Sequence, residues 1–168
     1  MGCENGDPIV IDTKGIGFHL TGAKDGVLFN VNGKGVARTS WTRPGSGNGW
    51  LALDRNANGN IDSMRELFGN YTPQQHTRQP NGFHALSVFD LRVNGGNNDG
   101  WIDAKDAVWT KLRVWIDENQ DGVSQPHELH TLDSLGITAI GLSYKLSVKD
   151  DEFGNRFRYT GSLKDIRG

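Results

Sequence analysis

The sequence has little of what cross-links a chain or anchors it in a membrane. Cys3 is the single cysteine among 168 residues, so no disulfide can form within the chain. No apolar run approaches the roughly 20 residues that a membrane-spanning helix requires, and no signal peptide is visible. We therefore expect a domain with no membrane span and no disulfide to stabilise its fold.

An excess of charge of one sign is also missing. Lys and Arg total 18 against 20 Asp and Glu, which gives a formal net charge of −2. Nucleic acids and anionic membranes are bound by strongly basic surfaces, so we expect neither as a partner. Glycine, by contrast, reaches 23 residues. Such a composition is typical of a chain with many tight turns.

The most informative stretch is residues 117–128. It is the last of three candidate calcium loops along the chain, and we call it loop 3. A twelve-residue calcium loop has oxygen ligands at positions 1, 3, 5, 7, 9 and 12, and glycine at position 6 for a sharp turn. Gly122 stands at position 6. The ligand positions hold Asp117, Asn119, Asp121, the carbonyl of Val123, Gln125 and Glu128. Loop 3 is therefore predicted to bind Ca²⁺, and the alternative is a solvated acidic turn.

A second candidate, loop 1, spans residues 54–66. Its first five ligand positions hold Asp54, Asn56, Asn58, the carbonyl of Asn60, and Asp62. Position 12 is Arg65, a cation that cannot bind a metal, and Glu66 follows one residue later. We predict a loop longer by one residue that uses Glu66 as its bidentate ligand. The alternative is an Asn–Gly turn that caps a short helix at residues 63–68.

A third candidate, loop 2, spans residues 95–106. Ligand positions 3, 5, 7, 9 and 12 hold Asn97, Asp99, the carbonyl of Trp101, Asp103 and Asp106. Position 1 falls on Gly95, which has no side-chain oxygen, so Asn94 or Asp90 would have to supply one. We predict that a helix between loops 2 and 3 serves both and lets them brace each other.

Two further glycine-rich turns begin like calcium loops. They span residues 12–17 and 30–35, and they carry Lys14 and Lys34 where acidic ligands belong. Because a lysine repels a bound cation, we predict that both turns are free of metal.

The apolar pattern predicts a single α+β domain over residues 1–168. Short helices are expected around EF-hand-like loops, and a β-hairpin is expected at the C-terminus. The N-terminal third is predicted to be a β-meander, with strands near residues 7–12, 18–20, 27–31, 36–41 and 50–54. The helices are predicted at residues 82–91, 108–115 and 129–135, and the C-terminal strands within 137–148 and 156–162.

Several short motifs follow one another in a recognisable order. They are Asp7–Pro8, Trp50–Asp54, the Glu-Leu-Phe-Gly motif Glu66–Gly69, Asn98–Asp103 and Leu112–Asp117. Over about residues 7–145 the chain resembles calcium-binding modules of large secreted bacterial RTX-type proteins, and most of all their self-processing module. The Glu-Leu-Phe-Gly motif after a calcium loop supports Glu66 as a ligand.

The resemblance implies that calcium triggers cleavage of an Asp–Pro bond just before the module, where Asp7–Pro8 stands. The Asp7 carboxylate can attack its own main-chain carbonyl to form a cyclic anhydride, with the Pro8 nitrogen as leaving group. Water or a lysine amine can then open the anhydride. In this interpretation Asp7 and Pro8 are the catalytic pair, and residues 1–7 precede the processing site. The alternative is an ordinary turn or strand start.

Two other functions fit parts of the sequence. Calcium with an open coordination position can polarise a phosphoryl oxygen, which would suit a hydrolase, such as a phosphoesterase, with an external substrate. The five tryptophans could instead form a binding surface, although such rings more often pack in a core. We predict foremost a calcium-stabilised module with two or three Ca²⁺ ions. We expect it to be a monomer within a larger protein that is secreted or lies on the cell surface.

Overall fold

Nine β-strands in three sheets carry most of the regular structure of residues 6–167, the part of the chain that the computed structural model describes. The strands are β1 Val10–Asp12, β2 Val27–Asn30, β3 Val36–Thr39, β4 Asn48–Ala52, β5 Trp101–Asp103, β6 Arg113–Trp115, β7 Leu129–His130, β8 Ile137–Asp150 and β9 Arg156–Asp165. The one α-helix of these residues, α1, spans Gly82–Ser87. Cys3 lies outside the described residues.

The predicted α+β class, with helices around EF-hand-like loops, is wrong because the domain is built of β-strands. The predicted helix at residues 108–115 is a 3-10 turn, Trp109–Lys111, followed by β6. The predicted helix at residues 129–135 contains β7 and a second 3-10 turn, Asp133–Leu135. Apolar runs this short fit a helix and a strand equally well, and only tertiary pairing decides between them.

The N-terminal third is not a meander. The order of the four-stranded sheet is β1-β4-β6-β7, with β1 antiparallel to β4 and β4 antiparallel to β6. Strands β2 and β3 form a separate hairpin. All five residues of β4 are buried, and a strand buried on both faces takes a central place with a partner on each side. The two partners of β4 are β1 and β6, which are distant from it in the sequence.

The C-terminal hairpin consists of β8 and β9, which extend the third sheet in the order β5-β8-β9. The first half of β8 is largely buried against the domain, whereas residues 143–150 are mostly exposed. None of the helices in the described part of the chain is long and apolar enough to cross a membrane.

The core has two apolar clusters, on opposite faces of the four-stranded sheet. Leu51 and Val114 belong to one cluster, and their neighbours Trp50 and Trp115 belong to the other, because successive side chains of a strand point to opposite faces. The tryptophans do not form a binding surface. Four are buried, namely Trp41, Trp50, Trp109 and Trp115. The ring of the half-buried Trp101 is covered by Lys164, whose Nζ lies 4.0 Å from the ring centroid.

The same substitution at a buried and at an exposed strand position tests this arrangement. Leu51 in β4 is 0% exposed, and Leu146 in β8 is 77% exposed. We expect Leu51→Ala to lower the free energy of unfolding by about 2–5 kcal/mol, because it removes packed methyl groups and leaves a cavity. Leu146→Ala should change it by less than about 0.5 kcal/mol. Urea denaturation measures both, and equal losses would contradict the burial of β4.

Candidate metal loops and the Asp7–Pro8 bond

Loop 3 is the connection of a β-hairpin. Its flanking strands β6 and β7 are antiparallel neighbours, and the N–H of Ile116 donates to the carbonyl of Glu128 at 3.0 Å. The first and last residues of the loop are therefore brought together by strand pairing rather than by two helices.

The first carboxylate of loop 3 is buried and fully engaged. Asp117 is 1% exposed. It accepts hydrogen bonds from the N–H groups of Asp121 at 3.2 Å and Gly122 at 2.9 Å. The indole N–H of Trp41 donates to it at 2.8 Å, so the start of the loop is fastened to the aromatic core.

The last carboxylate of loop 3 closes the loop from the other end. Glu128 is 0% exposed. It accepts from the N–H groups of Glu118 at 3.0 Å and Gln125 at 3.2 Å, and the indole N–H of Trp115 donates to it at 3.2 Å. Positions 1 and 12 therefore share one buried region.

The middle oxygens of loop 3 also converge. The Asp121 carboxylate accepts from the side-chain amides of Asn119 at 3.0 Å and Gln125 at 2.8 Å. The side chains at positions 3, 5 and 9 are thus neighbours, while the side chain of Val123 is exposed.

Loop 1 repeats this pattern despite its extra residue. Asp54 accepts from the N–H groups at positions 5 and 6, Asn58 at 3.2 Å and Gly59 at 2.8 Å. Glu66 accepts from the N–H groups at positions 2 and 9, Arg55 at 3.1 Å and Asp62 at 2.9 Å. Glu66 therefore stands in loop 1 where Glu128 stands in loop 3.

The surroundings of Glu66 match those of Glu128 as well. The carbonyl of Glu66 accepts from the N–H of Leu53 at 2.8 Å, as the Glu128 carbonyl accepts from Ile116 in loop 3. Arg65 is exposed, and residues 63–68 form no helix. The side-chain amide of Asn58 donates to Asp62 at 2.9 Å, so positions 5 and 9 meet here too.

Loop 2 takes its first carboxylate from outside the loop. Asp90, which is 5% exposed, accepts from the N–H groups at positions 5 and 6, Asp99 at 3.1 Å and Gly100 at 2.9 Å. Asn94 instead donates its side-chain amide to the carbonyl of Val88. Asp90 therefore fills the place that Gly95 leaves empty.

The sequence signal for Asp90 is the glycine pair that follows it. A Cβ built on Gly96 would lie 2.2 Å from the carbonyl carbon of Asp90. Only glycine, which has no Cβ, allows so close an approach. The chain thus folds back on itself before loop 2 begins.

The last carboxylate of loop 2 is Asp106. It accepts from the N–H groups of Asn97 at 3.3 Å and Asp103 at 2.8 Å.

One backbone conformation is common to the three loops. The described residues contain three non-glycine residues with positive φ, and each stands at position 4 of a loop: Ala57 at 56°, Asn98 at 61° and Gln120 at 55°. The glycine at position 6 also has positive φ in each loop, at 81°, 85° and 71°. Left-handed backbone is costly without glycine, so its recurrence at one position marks a repeated structure.

The loops that contact each other are loops 1 and 3. The N–H of Ile61 donates to the hydroxyl of Ser124 at 2.7 Å, and both residues stand at position 8. The prediction that loops 2 and 3 share a helix is wrong, because no α-helix lies between them.

All buried acidic side chains of the described residues accept main-chain N–H groups of these loops: Glu66, Asp90, Asp106, Asp117 and Glu128. None of them forms an ion pair within the described part of the chain. The same residues include no group of three or more His, Cys, Asp or Glu side chains with metal-binding geometry. Each loop instead combines carboxylates with amide and main-chain oxygens, the mixture of donors that Ca²⁺ takes.

Burial disfavours the charged form of three of these carboxyl groups. It raises the pKa of Glu66, Asp106 and Asp117. Repulsion from a second carboxylate acts in the same direction, from Asp62 on the pKa of Glu66 and from Glu128 on that of Asp117. A bound cation would remove both penalties.

The Asp7–Pro8 bond lies against the segment that follows loop 1. The N–H of Asp7 donates to the side-chain oxygen of Asn70 at 3.0 Å, and the N–H of Asn70 donates to the Asp7 carboxylate at 2.7 Å. Burial raises the pKa of the Asp7 carboxyl, and Arg158 opposes this. A cavity of about 430 Å³ opens beside the bond, between residues 6–12 and β9.

Comparison with known proteins identifies the family of the chain. Residues 9–168 match the SPM domain. The chain belongs to the SPM domain family. It is also 39% identical over 166 residues to the iron-regulated protein FrpA of Neisseria meningitidis serogroup C. That match covers 96% of this chain but 14% of FrpA, so this SPM domain is similar to a small part of a much longer bacterial protein.

The raised pKa values predict how the metal-free chain responds to pH. Between the unfolded and the raised folded pKa of Glu66, Asp106 and Asp117, the folded state binds more protons than the unfolded state. Stability therefore falls as pH rises through that window. We expect the metal-free chain to melt at a higher temperature near pH 5 than near pH 7.5. Hydrogen bonding to the N–H of Trp101 lowers the pKa of Asp99, which therefore titrates below the window.

Two variants sharpen this measurement. Asp117→Asn should reduce the difference in melting temperature between the two pH values, because it removes one buried titrating group. Asp25→Asn, at an exposed position, should leave the difference unchanged. A melting temperature that rises from pH 5 to 7.5 in the metal-free chain would contradict the assignment.

Proposed function

We propose that this SPM domain is a calcium-binding module of a longer, secreted bacterial protein, and that Ca²⁺ in its three loops stabilises the fold. The observation that carries the proposal is the set of five buried carboxylates bound to the three loops, none of which forms an ion pair among the described residues. Buried charges in proteins are normally paired or coordinate a metal.

The donor atoms favour calcium over other cations. Zinc and copper prefer nitrogen and sulfur ligands, whereas the loop positions offer carboxylate, amide and main-chain oxygens. Magnesium demands near-ideal octahedral geometry and keeps several waters. The amide ligands Asn56, Asn58 and Asn119 replace charged groups, and fewer charges weaken a site. Affinities of about 0.1–1 mM, typical of extracellular calcium modules, fit a secreted protein.

Calcium supplies positive charge between the ends of each loop. The carboxylates then keep their main-chain hydrogen bonds in the ionised form without mutual repulsion. Because the unfolded chain lacks a preformed site, binding stabilises the folded state by about 2.7 kcal/mol per site at a hundredfold excess over Kd.

The charge of Glu128 should matter more for stability with calcium than without it. Glu128→Gln preserves the size of a fully buried side chain but removes the bidentate ligand of loop 3. We expect the calcium-induced rise in melting temperature to shrink by several degrees. In a chelator, the loss of melting temperature should be smaller, because only the hydrogen bonds to the replaced oxygen are lost and no metal ligand is removed.

Glu118→Gln provides the matched control. Glu118 is exposed and stands at position 2, which contributes no ligand. Its melting temperature should follow the unaltered chain in calcium and in chelator. If Glu128→Gln retained the full calcium response, loop 3 would not be a calcium site.

A second candidate function is calcium-dependent cleavage of the chain's own Asp7–Pro8 bond. The observation that favours it is the environment of Asp7, whose carboxyl has a pKa raised by burial and is held by the N–H of Asn70 at 2.7 Å. A desolvated and oriented carboxylate is a stronger nucleophile than one in water.

The chemistry balances without an outside oxidant or reductant. An oxygen of the Asp7 carboxylate bonds to the Asp7 main-chain carbonyl carbon, and the bond from this carbon to the Pro8 nitrogen breaks. The nitrogen takes a proton from water and leaves as a secondary amine. Hydrolysis of the resulting five-membered anhydride restores the carboxylate and frees a carboxyl group on Asp7.

Intact mass spectrometry tests cleavage directly. With millimolar calcium, we expect the chain to lose residues 1–7, and in a chelator it should keep its full mass. Asp7→Ala should abolish the product, because it removes the attacking carboxylate. Asp25→Ala, at an exposed aspartate, should cleave like the unaltered chain. A product that persists in Asp7→Ala would exclude this chemistry.

A further inference from the structure

Asn70 holds Asp7 at two points. Its side-chain oxygen accepts the Asp7 N–H at 3.0 Å, and its own N–H donates to Oδ1 of Asp7 at 2.7 Å. The two residues are 63 positions apart in the chain, so the pair arises from the tertiary fold. These two contacts fix Asp7 on both sides of its Cα–Cβ bond.

We propose that Asn70 is a positioning residue for cleavage of the Asp7–Pro8 bond, an inference that rests on the second function proposed above. Attack by Asp7 on its own carbonyl requires one rotamer of its side chain, whereas a free aspartate populates several. With Oδ1 bound to the Asn70 N–H, Oδ2 is the oxygen that attacks. Correct orientation of the reacting groups lowers the activation barrier of such an intramolecular step.

The residue before Asn70 leaves space for the reaction. A Cβ on Gly69 would lie 3.1 Å from both the carbonyl carbon and the carbonyl oxygen of Asp7. The carbonyl carbon becomes tetrahedral during the attack, and its oxygen moves out of the peptide plane. Glycine at residue 69 leaves room for this movement, which a larger side chain would obstruct.

The same segment links the bond to loop 1. Glu66 closes loop 1 and is separated from Asn70 by three residues. Within them, Leu67 bridges to Ala52 of β4, and the carbonyl of Phe68 accepts the N–H of Ile9 at 2.8 Å. Phe68 therefore holds the chain after the Asp7–Pro8 bond, and Asn70 holds it before the bond. Ordering of loop 1 at Glu66 would fix both ends of the reacting peptide.

Two variants of Asn70 test the inference, with cleavage followed by mass in calcium. Asn70→Ala loses the acceptor for the Asp7 N–H, and we expect cleavage to slow at least about tenfold, since small misplacements of a reacting group cost up to a hundredfold. Gln75→Ala, an exposed amide in the same segment, should cleave at the unaltered rate. Both rates are measured below the calcium-stabilised melting temperature of each variant.

Asn70→Asp separates positioning from a general effect on folding. It keeps an acceptor oxygen, so we expect it to recover much of the rate. It also places a negative charge beside Asp7, which faces Arg158 across the cavity. The added charge should raise the pKa of the attacking Asp7 carboxyl, so the pH profile of cleavage should move to higher pH. A simple loss of packing would not cause such a shift.

The outcomes distinguish the inference from the function on which it rests. If the unaltered chain never cleaves in calcium, both are contradicted. If it cleaves and Asn70→Ala cleaves equally fast, the positioning role is contradicted while cleavage stands. A pH profile of Asn70→Asp that coincides with the unaltered profile also contradicts the role of Asn70. Slow cleavage in Asn70→Ala together with recovery and a shifted profile in Asn70→Asp would support it.

Discussion

Hydrogen bonds from main-chain N–H groups to buried carboxylates determine how the rest of this domain is arranged. In each loop, the first carboxylate accepts the N–H groups at positions 5 and 6, and the last carboxylate ties the end of the loop to its beginning. Loops 1 and 3 leave the central strands β4 and β6, and Trp41 and Trp115 donate into loop 3 from the core. Loop electrostatics and core packing therefore depend on each other.

Under the proposed function, this dependence would give bound calcium a direct effect on the fold. Burial, and then repulsion from a neighbouring carboxylate, raises the pKa of Glu66 and Asp117, which expresses the cost of ionising them inside the fold. In our account, a bound cation turns this penalty into stabilisation. Glu66 belongs to a segment that also contacts Asp7 through Asn70. Ordering of loop 1 would therefore restrict the conformation of the Asp7–Pro8 bond. Binding and cleavage would then be two consequences of one ordering event.

The sequence located the carboxylates and turn glycines of the three loops better than the fold around them, while metal binding by the loops stays a prediction. Ligand spacing is a local property, and the position of Glu66 one residue late is visible without a structure. Asp90 was visible only as one of two candidates, since the turn at Gly95 and Gly96 decides which residue reaches the loop. The helix at residues 82–91 is present as α1. The helices at residues 108–115 and 129–135 were predicted wrongly, because β6 and β7 are short apolar segments whose strand character comes from pairing. The partners of β4 also lie far away in the sequence, so no local pattern identifies them.

The most direct test of this account is to count the calcium ions bound by the metal-free chain in a calorimetric titration into the millimolar range. We expect three ions per chain, one for each loop, with loops 1 and 3 coupled through their contact between Ile61 and Ser124. Fewer ions would contradict the equivalence of the three loops. A titration without binding heat, and without any change in the melting temperature, would contradict the calcium proposal itself.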